Sequence, residues 1–391
     1  MAFLPTFRYS LGGAEMPISP GSSLWESPLP MNRHHFQESD TDNTGHAGLT
    51  HGDYFTAVRR FLETERFHLI SAAFDPEKRD PVSDIQICLM KHGEFYHPAR
   101  VRVASTNRHR SFVLNVALSR SGRGVIDAEV SALERLGNLT GSSFVPKVYG
   151  KGSVEIGSDL TADMFLGEWF EGYHEFHLSR RPSDGAQTLC VWGENDIPRY
   201  LAPEEAYLIY HQATRILTLY FNMISTEHIS HWHHAAGDFV IKHEPDRLKV
   251  KLITVRHYGP LLRMDETAHG PSQNDHAMAA LVLFFLTLSI RMRLDRLDGI
   301  SDVVWADDTA VIGIWTGFLE GLSGNRFPFP SDPVAQFERH LSTYSIADLH
   351  DLAETLVARL SVSSDERAVV ETNIGRHMEV LCDTIGQIGF P

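Results

Sequence analysis

The hydrophobic pattern of the first third of the chain is irregular, then helical, and then alternating. Residues 1–48 are rich in Pro, Gly, Ser, Asn and Asp and show no sustained periodicity, which is typical of a flexible or surface-draped arm. Apolar residues recur at helical spacing through residues 54–67, which predicts a helix. Alternation through residues 84–119 predicts strands, and the following pattern over 125–136 predicts a second helix, which Gly137 closes.

Further short apolar segments predict strands at 145–149, 164–170, 189–192, 238–242 and 248–255. A long helix is predicted over 203–224, with Pro203 near its start, and the chain beyond Asp275 reads as helices and loops. This order predicts an α+β, two-lobed fold with a small antiparallel-sheet N-lobe and a mainly helical C-lobe.

The predicted organisation divides the chain into three parts. Residues 1–48 form the arm, residues 49–175 form the N-lobe with its leading helix, and residues 176–391 form the helical C-lobe. The apolar run 277–290 is too short to span a bilayer and predicts a buried helix.

Charge and cysteine content narrow the classes of partner and compartment. The 35 Lys and Arg residues against 50 Asp and Glu residues give a net charge of −15, which argues against nucleic-acid and anionic-membrane partners. The three cysteines form no C-x-x-C pair, and the first 48 residues lack the pattern of a signal peptide, so we expect a reducing, cytoplasmic location.

Two segments resemble the protein-kinase-like superfamily, and more nearly its aminoglycoside and choline phosphotransferase branch. The segment Met164–Gly172, MFLGEWFEG, resembles the hinge strand of that superfamily, in which the backbone holds adenine. The segment His231–Ile241, HWHHAAGDFVI, resembles the catalytic loop HGDLHPGNFLV of the phosphotransferases. The resemblance covers roughly residues 85–360, more by layout than by identity, and implies the two-lobed kinase-like fold.

The resemblance implies roles for five positions. The phosphate-binding lysine falls on Asn115, its helix glutamate on Glu129, the catalytic aspartate on His233, the metal-binding asparagine on Asp238, and the second metal aspartate on Thr254. Phosphoryl transfer from ATP with Mg²⁺ depends on a lysine and two metal ligands. Glu129 is kept and Asp238 is a workable substitution, whereas three positions are lost, so the usual mechanism is not expected.

Two further residues belong to the implied site. Glu168 lies in the hinge segment and, with Asn115 and Glu129, makes up the predicted nucleotide-binding set. Arg256 lies two residues after Thr254, the position of the lost metal aspartate, and has two interpretations. It replaces the metal charge by binding a phosphate or carboxylate directly, or it forms an ion pair with Glu129 or Asp238.

Histidine is unusually frequent, with 22 residues, and it clusters near Asp238. His231, His233 and His234 lie within eight residues of that aspartate, with His257 on the next strand. Imidazole and carboxylate groups are ligands for Zn²⁺ or Fe²⁺, so His231, His233 and Asp238 are candidate metal ligands. The alternative is that these histidines brace the loop by hydrogen bonds to backbone carbonyls.

The leading hypothesis is a diverged kinase-like protein that binds a nucleotide or small ligand in the interlobe cleft and acts as a regulatory or scaffolding pseudokinase with a protein partner. The first alternative is an active small-molecule phosphotransferase with His233 as base, Asp238 as metal ligand and Arg256 as charge clamp. The second is a metal-dependent enzyme built on the 231–238 histidine cluster.

Overall fold

A computed structural model describes residues 5–13, 15–30, 48–64, 67–74, 82–93, 95–105, 108–139, 144–157, 160–193, 197–233, 237–245, 247–262, 273–325, 332–360 and 362–388. The chain divides into two compact units. Unit 1 comprises Met1–Asn138 and Pro146–Glu171, and unit 2 comprises Leu139–Val145 and Gly172–Pro391.

The elements of unit 1, in chain order, are β1 (Thr6–Leu11), β2 (Met16–Ile18), α1 (His51–Glu63), α2 (His68–Phe74), β3 (Asp84–Leu89), β4 (Ala99–Ala104), β5 (His109–Ala117), α3 (Arg120–Gly137), β6 (Val148–Ile156) and β7 (Leu160–Glu168). Its described strands form a seven-stranded sheet in the order β2-β1-β3-β4-β5-β7-β6. The predicted order of three strands, a helix and two strands is therefore present, and the strands β3 to β7 pair antiparallel.

The N-terminal segment differs from its prediction as a flexible arm. β1 pairs in parallel with β3 over six residues, and β2 folds back onto β1. The sequence shows no periodicity here because only Tyr9, Ser10 and Ile18 of these two strands are buried. Two tertiary pairings therefore decide the strand structure. The remainder of the predicted arm, 31–47, lies outside the described residues.

The core of unit 1 lies between the sheet and α1. The helix begins with a capping box in which Thr50 and Asp53 bond to each other's backbone N–H groups. Its buried face carries Phe55, which packs with the rings of Tyr9 and Trp25 at centroid distances of 5.2 and 5.8 Å. Burial of these large apolar side chains is the main stabilising contribution to such a layer.

The elements of unit 2 are β8 (His174–Arg180), β9 (Gln187–Trp192), β10 (Pro198–Tyr200), α4 (Pro203–Leu219), β11 (Glu227–Ile229), β12 (Phe239–Glu244), β13 (Arg247–Leu252), β14 (Tyr258–Pro260), α5 (Gln273–Arg291), β15 (Leu294–Arg296), β16 (Val303–Trp305), α6 (Thr309–Ser323), α7 (Pro333–Leu341), α8 (Ile346–Arg359) and α9 (Ser364–Ile388). Beyond β14 the chain is mainly helical, as predicted, apart from the short strands β15 and β16, so the α+β class with a sheet-rich first part and a mainly helical second part is confirmed.

Unit 2 also contains a five-stranded sheet, in the order β10-β9-β8-β12-β13. The sequence analysis predicted β9, β12 and β13 but missed β8 and β10. In β8, Phe176 and His177 are buried, and His177 Nδ1 lies 3.2 Å from a carboxylate oxygen of Asp295. The strand pairs with β9 and β12, so tertiary pairing accounts for its conformation.

The apolar run 277–290 lies in α5, as predicted, and its residues are mostly buried. Among the described helices, none combines the length and the hydropathy needed to cross a bilayer. The helix α4 ends at Leu219, earlier than predicted, because the Asn222 side chain accepts the backbone N–H groups of Ile224 and Ser225 and forms a turn instead.

Candidate functional site

The candidate site is the loop that joins β11 to β12 in unit 2. Its first end is anchored where β11 pairs with β14, and the Ser230 N–H donates to the His257 carbonyl at 3.1 Å. Gly237 closes the loop with a φ of +69°, in the left-handed region. A Cβ atom at this position would lie 2.8 Å from the Glu175 carboxyl carbon, so the backbone conformation favours glycine and a larger residue would also displace the Glu175 side chain.

Asp238 follows Gly237, directly before β12, and is only 1% exposed. Its two carboxylate oxygens accept from the two terminal nitrogens of Arg256 at 2.8 and 2.6 Å. The backbone N–H of His233 donates to Oδ2 at 2.7 Å. This is the bidentate guanidinium–carboxylate geometry that gives strong, oriented ion pairs.

Arg256 has a second anchor on the same loop. Its Nη1 also donates to the His231 carbonyl at 3.1 Å, and its side chain is 23% exposed. Of the two interpretations from the sequence, the geometry is that of the ion pair with Asp238. Thr254, which replaces the second metal aspartate, is half-buried and carries no charge.

His233 contacts a carboxylate that the sequence analysis missed. Its Nε2 lies 2.6 Å from Oε1 of Glu366, at the start of α9, and Glu366 is 6% exposed. The other Glu366 oxygen accepts the Ser363 N–H at 2.8 Å. The spacing of Ser363 and Glu366 has the form of a capping box, so the sequence carries a signal for a helix start but none for the contact with His233.

This hydrogen bond sets a pH dependence. The hydrogen bond to His233 is the main cause that lowers the pKa of Glu366 from 4.5 to about 2. Because the folded-state pKa is the lower one, the stabilisation is fully present above about pH 4.5 and is lost as the pH falls through about 2. We therefore expect the gap in free energy of unfolding between the wild type and Glu366→Gln to narrow with falling pH across this range, as measured by urea unfolding.

Asp365→Asn is a matched control, since Asp365 is exposed on the same helical turn. Its unfolding curve should follow that of the wild type at each pH. If the difference in free energy of unfolding between the wild type and Glu366→Gln does not change with pH, the result contradicts the hydrogen bond between His233 and Glu366.

The three predicted metal ligands do not converge. In the described part of the chain, the donor atoms of His231, His233 and Asp238 are not gathered within 4.8 Å of one another. His231 instead lies beside His257, with ring centroids 4.9 Å apart, and burial is the main cause that lowers the pKa of His231. Arg256 and the His233 N–H donate to the two Asp238 oxygens, so this carboxylate already has a cationic partner. His234 lies outside the described residues.

The predicted nucleotide-binding residues lie in unit 1. Asn115 is half-buried on β5, opposite Phe165 of β7. Glu129 is 1% exposed on α3. Glu168 ends β7, and its carboxylate accepts the Lys147 N–H at 3.2 Å. These three residues thus belong to a different unit from His233, Asp238 and Arg256, and their assignment to a nucleotide stays a prediction.

Comparisons with known proteins give little further information. No protein-family model matches the chain, and no curated protein matches it. Among solved structures, the chain is similar to one described as WaaP in complex with acyl carrier protein, at 10% identity and a TM-score of 0.29, over 75% of this chain and 97% of that chain. A similarity at this level establishes no common family or activity.

Proposed function

We propose that this protein is a kinase-like protein without phosphoryl-transfer activity, a pseudokinase with a regulatory or scaffolding role. The observation that supports the proposal is the Asp238–Arg256 ion pair. The resemblance assigns a metal ligand to Asp238, and a guanidinium occupies both of its oxygens. In this proposal, the Arg256 guanidinium supplies the positive charge at Asp238 that a metal ion supplies in an active kinase-like site.

The free-energy cost of displacing Arg256 from Asp238 favours an inactive site. Mg²⁺ requires oxygen ligands in near-octahedral geometry, so it would have to displace Arg256 from Asp238. Breaking a buried ion pair costs about 3–5 kcal/mol. That cost corresponds to roughly a hundred-fold to a few thousand-fold loss of Mg²⁺ affinity at this carboxylate. We therefore expect any nucleotide binding to be independent of Mg²⁺.

The test is turnover of ATP with a matched variant. We expect phosphate release from ATP with Mg²⁺ or Mn²⁺ to be no faster for the wild type than for Asp238→Asn, because the carboxylate does not hold the metal. Titration calorimetry should give the same ATP affinity, or the same absence of binding, with Mg²⁺ and with EDTA. Turnover that Asp238→Asn abolishes would overturn the proposal.

The His233–Glu366 contact favours a second candidate function. A histidine held by a carboxylate at hydrogen-bond distance is the arrangement that orients general bases in many enzymes. In this alternative, the protein is a transferase acting on a small hydroxyl substrate, with His233 as base and Glu366 as its orienting partner. It requires turnover that is lost in His233→Ala and reduced in Glu366→Gln, with both variants folded by circular dichroism.

A further inference from the structure

A small cavity in unit 2 lies between the loop residues Ser230 and Trp232 and the C-terminal half of α5. Its volume is about 40 Å³, which is room for roughly three water molecules. Phe284, Leu288 and Arg291 of α5 line it. They are spaced i, i+4 and i+7, so they share one face of the helix.

Arg291 is the charged group among the described residues that line this cavity. Its guanidinium carbon lies 5.4 Å from the Trp232 ring centroid, and Nη2 donates to the Trp232 carbonyl at 2.6 Å. No carboxylate of the described residues lies within ion-pairing distance of it. Burial lowers the pKa of Arg291, and Glu366 and Asp238 act on its charge only over a longer range. A half-buried guanidinium with unused donors in a cavity fits an anionic ligand.

The other lining groups define which anion fits. Burial lowers the pKa of His228 to about 4, so this ring is neutral at pH 7 and adds no second positive charge. Hydroxyl groups come from Ser230 and Thr287, and the Ser230 hydroxyl lies 2.6 Å from His257 Nδ1. The other described lining residues are apolar: Ile229, Leu261, Phe284, Leu288 and the Trp232 ring.

We propose that this cavity binds the carboxylate of a small aliphatic acid, with the carboxylate on Arg291 and the hydrocarbon tail against Phe284 and Leu288. A planar carboxylate matches the fork of one guanidinium and carries one negative charge. A phosphate group is larger and brings a second charge, for which the described lining residues offer no second cation. The cavity is partly open to solvent, so the end of a short acid extends beyond the space that roughly three water molecules would fill, whereas a long chain gains no further contact.

The test measures propionate binding to the full-length chain. We expect sodium propionate to raise the melting temperature progressively, as a ligand of the folded state does. Propionamide, and sodium chloride at equal ionic strength, should not. Titration calorimetry should show at least a tenfold loss of propionate affinity in Arg291→Gln and unchanged affinity in Arg247→Gln, whose arginine is exposed and paired with Glu244.

A second variant, Thr287→Val, tests the proposal independently of whether Arg291→Gln folds. Thr287→Val keeps the size of a half-buried lining residue and removes its hydroxyl, so we expect a several-fold loss of propionate affinity. Equal stabilisation by propionamide or by inorganic phosphate would overturn the proposal. Propionate affinity that is unchanged in Arg291→Gln, or absent in the wild type, would overturn it as well.

Discussion

Replacing Arg256 by glutamine is expected to lower the free energy of unfolding by about 3–5 kcal/mol at neutral pH, because it leaves the Asp238 carboxylate buried without its counter-charge. Asp238 is 1% exposed, and Arg256 supplies two of the hydrogen bonds that it accepts. The His233 N–H is the other donor that we identify, and one amide does not compensate a buried charge. Chemical denaturation of both proteins at pH 7 measures the difference.

Arg247→Gln is the matched control for this prediction. Arg247 pairs with Glu244 in the β12–β13 hairpin, but its side chain is 67% exposed. Exposed pairs contribute only about 0–1 kcal/mol, so the control should unfold almost as the wild type does. The double variant Asp238→Asn with Arg256→Gln removes both charges and should recover much of the loss. Equal effects of Arg256→Gln and Arg247→Gln would mean that Asp238 is not buried as described.

Replacing Gly317 by alanine is expected to destabilise the protein by about 1–3 kcal/mol or more, because the added methyl group overpacks a helix contact. Gly317 lies on α6, and a Cβ atom there would be 2.1 Å from the backbone oxygen of His211 on α4. A backbone atom cannot rotate away, so the two helices would have to separate. Gly313 and Gly321, one turn away on either side, meet α4 backbone atoms at 2.8 Å in the same way.

Gly375→Ala provides the opposite expectation. Gly375 lies inside α9, where an added Cβ would meet nothing within 4 Å. Alanine is the better helix former by about 0.5–1 kcal/mol, so this variant should be slightly more stable than the wild type. Thermal and urea unfolding of the two variants measure both effects, and a neutral Gly317→Ala would contradict the close approach of α4 and α6.

The α4–α6 contact also bears on the candidate site. On α4, Gln212 donates to the Leu248 carbonyl at 2.7 Å and accepts the Val250 N–H at 3.2 Å. These bonds hold β13, which pairs with β12 directly after Asp238. A displaced α4 would therefore disturb the strand that positions the carboxylate. We expect no such effect from the exposed positions of α9.

Sequence reasoning singled out the loop before β12 as the candidate site and predicted only part of the contacts that its residues make. The ion pair between Arg256 and Asp238 was one of the two interpretations of Arg256, since the residues lie close in sequence and carry opposite charge. Glu366 was missed because it lies 133 residues from His233. Eight strands were missed for a related reason, since their conformation comes from pairing with other strands: β1, β2, β8, β10, β11, β14, β15 and β16.

Local pattern alone determined the helices α1, α3, α4 and α5 and eight of the sixteen described strands, because amphipathic spacing is a property of neighbouring residues. The sequence also determined which side chains occupy the five positions that the resemblance implies, including the neutral Asn115 and Thr254. Only the tertiary structure decided that the Arg256 guanidinium pairs with Asp238. It also decided that Arg291 lies beside a cavity, without a carboxylate partner among the described residues. Contacts of this kind join residues that are distant in the chain, and their geometry exists only once the backbone has folded.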